Sequence, residues 1–106
     1  MKKFLGTITA LIIAAASFAQ ITITGKVVDK QNRPLQNASV KLHSDGKKEK
    51  AVITNEEGFF ELSNIESNTN AKLVVQYVGM KTHEENFAAT GNKSFNIVLE
   101  NLDYFL

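Results

Sequence analysis

Beyond residue 20 the chain alternates apolar and polar positions with a period of two, and no stretch keeps a helical period over three turns. Ile21, Ile23 and Val27 share one parity in Ile-Thr-Ile-Thr-Gly-Lys-Val-Val-Asp, which predicts a first strand with Gly25 at a bulge or a close approach. Residues 29–35 predict a loop in which Asn32 takes the left-handed conformation and Pro34 fixes φ. Ala38, Val40 and Leu42 then alternate with Ser39, Lys41 and His43 as a second, half-buried strand. Asp45-Gly46 predicts a primed hairpin turn into a third strand over about 49–54.

The strongest local signal is residues 54–62, Thr-Asn-Glu-Glu-Gly-Phe-Phe-Glu-Leu, which predict a tight turn and a fourth strand. Asn55 can bond its own backbone there, and Gly58 tolerates positive φ. Phe60 and Leu62 fall on the inward parity, Phe59 and Glu61 on the outward one. Residues 63–70, rich in Ser and Asn, predict a loop. Residues 72–80 carry Leu73, Val75 and Tyr77 on one parity and Val74 and Val78 on the other, which predicts a central strand ended or bent by Gly79. The more charged residues 81–87 suit an edge strand. Gly91-Asn92 marks a turn, and 94–100 form a last strand with Phe95, Ile97 and Leu99 inward. Seven short strands without helices predict an all-β fold of two packed antiparallel sheets.

The first 19 residues belong to a different pattern. Lys2 and Lys3 precede an apolar run from Phe4 to Ala16, and Ser17-Phe18-Ala19 has small residues where a signal peptidase cuts. The run is shorter than the roughly 20 apolar residues of a spanning helix. The expectation is a cleaved signal peptide over 1–19, a single domain over 20–100, a C-terminal tail over 101–106, and no transmembrane segment in the mature chain. Loss of Lys2 and Lys3 turns the formal charge of +1 into −1, which removes any electrostatic case for nucleic acid. With no cysteine there is neither disulfide support nor a lipid-modified N-terminal cysteine.

Catalytic chemistry finds little to work with. His43 and His83 are the only histidines, and His83-Glu84 is followed by Glu85, Asn86 and Phe87 rather than by a second zinc ligand. Both histidines are expected to be solvated. No serine lies in a nucleophile-elbow context, no glycine-rich phosphate loop occurs, and the two acids Glu56 and Glu57 are too few for a calcium loop.

Five pieces in order carry a family resemblance: Gly25-Lys26-Val27-Val28-Asp29, Arg33-Pro34-Leu35, Ala38-Ser39-Val40, residues 54–60, and Val75-Gln76-Tyr77-Val78-Gly79-Met80. Together they resemble the carboxypeptidase regulatory-like domain over about residues 21–99. The resemblance implies a transthyretin-like (prealbumin-like) seven-stranded antiparallel Greek-key β-sandwich with no catalytic residues and no cofactor. Gly25, Pro34, Gly58, Phe60, Tyr77 and Gly79 are its expected structural residues. Asn32 and Asn37 stand where the family commonly has glycine, and Asn tolerates positive φ next best.

Such domains accompany metallocarboxypeptidases and form the N-terminal extension of TonB-dependent outer-membrane transporters, and Tyr77-Val78-Gly79-Met80 looks most like that second branch. The fold also hosts a purine-pathway hydrolase whose C-terminal Tyr-Arg-Gly-Ser is absent here, where the chain reads Tyr104-Phe105-Leu106. The expected function is a non-enzymatic exported accessory module of the periplasm or outer membrane in a Gram-negative bacterium, binding a protein of the cell envelope. Leu102, Tyr104, Phe105 and Leu106 are its candidate partner-binding residues, able to pair with a sheet edge of their own molecule or of a neighbour. The alternatives are a small secreted carbohydrate- or surface-binding domain and a truncated relic of a transporter.

Overall fold

A computed structural model describes residues 20–102; the expected signal segment and Tyr104, Phe105 and Leu106 lie outside them. Seven strands follow in order: β1 (Gln20–Asp29), β2 (Ser39–Ser44), β3 (Lys50–Ile53), β4 (Phe59–Glu66), β5 (Asn68–Gln76), β6 (His83–Ala89) and β7 (Lys93–Leu99). They form a three-stranded sheet, β4-β1-β7, and a four-stranded sheet, β3-β2-β5-β6. No helix occurs among the described residues.

The parity of the strands becomes the core. Ile21, Ile23 and Val27 of β1, Phe60 and Leu62 of β4, and Phe95, Ile97 and Leu99 of β7 are buried from one sheet. Val40 and Leu42 of β2 and Leu73 and Val75 of β5 meet them from the other. Side chains on alternate faces explain why His43 and Phe59 stay exposed next to buried neighbours. β5 is central and β6 an edge, as their apolar and charged patterns require.

The sheets are not wholly antiparallel, because β1 and β7 run parallel from Ile23↔Lys93 to Asp29↔Leu99. Every connection reverses the chain, so odd-numbered strands share one direction. Of all the neighbouring pairs, β1–β7 alone joins two odd strands.

Three local expectations are corrected as well. Residues 63–70 are not a loop: β4 runs to Glu66, Ser67 alone separates it from β5, and Ile65 is buried at 3%. Asn64 there takes φ 57°, and the β1–β4 register shifts between Ile21 and Ile23. That shift places the bulge away from Gly25, where the expected alternative, a close approach, holds: a Cβ there would lie 2.5 Å from the Phe60 ring. β5 accordingly starts at Asn68 and ends at Gln76, before the Tyr77–Met80 turn closed by the Met80 N–H to the Tyr77 carbonyl at 3.0 Å. At Asp45-Gly46 only Gly46 has positive φ, 72°, and the Lys47 N–H donates to the Ser44 carbonyl at 3.0 Å. Those signs fit an unprimed type II turn, not the expected primed one.

Candidate functional site

Strand directions divide the sandwich into two ends of different chemistry. One end gathers the close of β1, β3, β5 and β7 with the start of β2, β4 and β6; the other gathers the reverse. At the first end three loops are cross-tied. Thr54, 1% exposed, accepts from the Ala38 N–H at 2.9 Å and donates its hydroxyl to the Leu35 carbonyl. Thr54→Val keeps the shape but leaves both groups unpaired. It is expected to cost about 1 to 3 kcal/mol by urea titration, with Thr54→Ser far milder.

Asp29 is the second tie. It is buried, and its carboxylate accepts from the Arg33 and Gln31 N–H groups and from Arg33 Nε, each at 2.8–2.9 Å. The Arg33 backbone N–H leads the causes that hold this carboxyl below its ordinary value of 3.8. A depressed folded-state pKa contributes stability above the unfolded value, and that contribution is lost as pH falls through the folded value. Thermal melts of native protein and Asp29→Asn are therefore expected to differ most near neutrality and to converge as the pH falls through the lowered pKa of the folded carboxyl. A gap independent of pH would show that the carboxylate charge contributes nothing.

The 55–58 turn is tied by Asn55 Oδ1, which accepts from the Glu57 N–H at 2.9 Å and the Phe59 N–H at 3.0 Å. Gly58 has φ 74°, and a Cβ there would lie 2.5 Å from the Val27 carbonyl oxygen. Pro34 bridges to Val28 and packs beside Gly58. Gly25 sits opposite Phe60 in the β1–β4 ladder, and a Cβ on it would meet the Phe60 ring at 2.5 Å. Tyr77 packs against the core from a half-buried position, while Gly79 (φ 79°) has open space around it. Asn32 and Asn37 take φ 65° and 68°. These residues shape the end of the sandwich and present no reactive group.

The titratable groups do not converge either. No group of three or more His, Cys, Asp or Glu able to hold a metal occurs among the described residues. His43 is exposed, 4.0 Å from Glu49. His83 is half-buried and lies 3.0 Å from Glu85, so only one of the two histidines is simply solvated. Thr54 did not stand out in the sequence, because its partners lie 16 and 19 residues away; the His83–Glu85 contact joins two side chains on one face of β6.

What the first end does carry is apolar surface. Ile53, Phe59, Val78, Val98 and Leu102 are the exposed large hydrophobic residues of the described chain, and all five lie there, Val78 at 87%. The opposite end presents the lysine-rich β2–β3 hairpin, where Lys47 pairs with Glu66. The chain leaves by the apolar end. Beyond β7, the Glu100 carbonyl accepts from the Lys81 N–H at 2.8 Å and the Leu102 N–H donates to the Gly79 carbonyl at 3.1 Å. Thus residues 100–102 pair with the loop before β6 in their own molecule.

Two facing sheets with loop-tied ends define a β-sandwich domain. Solved structures of the same fold include the 3-chlorocatechol 1,2-dioxygenase of Rhodococcus opacus 1CP, with TM-score 0.67 and 10% identity over 86% of this chain and 63% of that one. The Bacillus anthracis TIE protein matches with TM-score 0.61 and 12% identity over 78% of this chain and 17% of that one. The shaft pilin SpaA of Lactobacillus rhamnosus GG matches with TM-score 0.59 and 15% identity over 83% and 48%. The chain thus spans less than two thirds of the length of each of these proteins, and at such identity they share its fold alone. No curated protein matches the chain. The chain belongs to the CarboxypepD_reg-like domain family, whose model matches residues 23–104.

Proposed function

We propose that this domain is a non-enzymatic exported interaction module, related to the N-terminal extension of TonB-dependent outer-membrane transporters and working at the periplasmic or outer-membrane face of a Gram-negative cell. Its partner is a protein of the cell envelope. The observation that carries this reading is the gathering of Ile53, Phe59, Val78, Val98 and Leu102 at the end from which the C-terminal segment departs. Apolar side chains left in water at one end of a small domain favour a contact there. Membership of a family of regulatory-like domains supports a role without catalysis. Tyr104, Phe105 and Leu106 extend the same apolar character.

The test is removal of residues 101–106, and separately Val78→Asp, followed by cross-linking in the cell envelope and measurement of oligomeric state. Both changes are expected to abolish the cross-linked species while leaving the melting transition in place. An unchanged cross-linking pattern would sink the proposal.

A further inference from the structure

The sandwich sets three strands against four: β4-β1-β7 faces β3-β2-β5-β6. Inner-face residues of β5, such as Leu73 and Val75, are fully buried, whereas their neighbours on β6 are Glu85 and His83, with side-chain exposures of 44% and 33%. These two polar groups face inward, yet solvent reaches them. The inner face of β6 therefore projects past β7 over unfilled space. At the His83 end of that face a groove of about 210 Å³ opens, lined by Lys81, Thr82, His83, Val98, Leu99 and Glu100.

The four sheet edges differ in how they are guarded against an added strand. β3 has four residues and carries Lys50. β4 carries Glu61 and Glu66 and is kinked where Asn64 takes positive φ. β6 presents Glu84 outward and Glu85 inward. Short length, irregularity and inward charge are the devices that block edge pairing. β7 has none of them: over Lys93–Leu99 its single charge is Lys93, at the far end and held 5.6 Å from the Phe95 ring centroid.

We propose that β7 is a strand-addition site, at which an extended segment of a protein partner completes the three-stranded sheet as its fourth strand. This deepens the interaction-module reading and rests on it. Backbone pairing supplies affinity in such additions, and alternate side chains supply choice. On the inner face the added strand meets Phe87, half-buried with its ring edge-on to Phe95 at 5.0 Å, and beyond it Glu85. Lys81 is engaged by Glu100 at 3.9 Å, and the ion-pair partner of Glu85 among the described residues is His83 at 3.0 Å. The inner face of β6 beside β7 thus favours an apolar residue against Phe87 and a lysine or arginine two positions along, against Glu85.

The test uses two capped eight-residue peptides of alternating threonine and valine, identical except for lysine or glutamate at one inward position, titrated into the ¹⁵N-labelled protein. The lysine peptide is expected to shift the amides of Lys93–Leu99 and slow their exchange, and to bind roughly fivefold tighter or more than the glutamate peptide. Glu85→Lys, at a half-buried position outside the core cluster, is expected to reverse that order with the unbound spectrum otherwise kept. Shifts confined to β3, β4 or β6, equal affinity for the two peptides in both proteins, or no shift at all would overturn the site. So would a dimer joined through β7 without peptide, which gives the place to a second copy. None of these outcomes touches the effect of removing residues 101–106, so the broader reading stands or falls separately.

Discussion

Replacing Phe60 by alanine is expected to lower unfolding free energy by about 3 to 5 kcal/mol, the usual cost of emptying a buried aromatic site. The ring is 2% exposed and is among the largest fully buried side chains of the core. It lies over Gly25 on the neighbouring strand, in space a Cβ would occupy. This pairing makes the cavity hard to close, because no side chain on Gly25 can move into it. The effect is coupled: Gly25→Ala should be costly beside Phe60 and cheaper in the Phe60→Ala background, where the Phe95 carbonyl oxygen at 2.9 Å still crowds the added methyl. Guanidinium titrations of the four proteins measure both terms. Since a domain's whole stability is about 5 to 15 kcal/mol, the single change approaches unfolding. A loss under about 1 kcal/mol, the average for an arbitrary substitution, would show that the ring anchors nothing.

Gly58→Ala is expected to cost about 2 to 4 kcal/mol. A left-handed conformation costs an L-residue about 1 to 2 kcal/mol, and the added methyl must displace the Val27 carbonyl and weaken the 2.8 Å bond from the Val27 N–H to the Gly58 carbonyl. Gly79→Ala is the matched control, with φ 79° but open space around it. Melting temperatures should therefore fall further for position 58 than for position 79. Equal falls would assign the whole effect to backbone conformation and none to the Val27 contact.

The two sheets were legible wherever the period of two was unbroken. β1, β2 and β7 place the inward residues that their parity names, and Asn55 bonds its own turn as its residue type suggests. The 63–70 stretch was not legible, for a definite reason: Leu62 and Ile65 both face inward although three residues apart, because the left-handed Asn64 breaks the alternation. A lone isoleucine among Ser and Asn then looks like loop. The role of Thr54 depends on partners 16 and 19 residues away, which local pattern does not encode. The parallel β1–β7 pair was not legible, because the strand pattern does not say which strand lands beside β1, and antiparallel sheets were expected. Of the candidate site, the sequence marked apolar residues at the C-terminal side, but their grouping with Ile53, Phe59 and Val78 at one end required the register.

The parallel pairing of β1 with β7 also decides how the domain carries mechanical load. Residue 20 and residue 102 lie at opposite ends of two adjacent strands that run the same way. Tension applied across those points slides β1 along β7, so the hydrogen bonds of the ladder share the load and must yield together. An antiparallel pair with both attachment points at one end would peel open bond by bond. Loaded at those two points, the domain would resist stretching along its own length, with the ladder from Ile23 to Asp29 acting as its clamp.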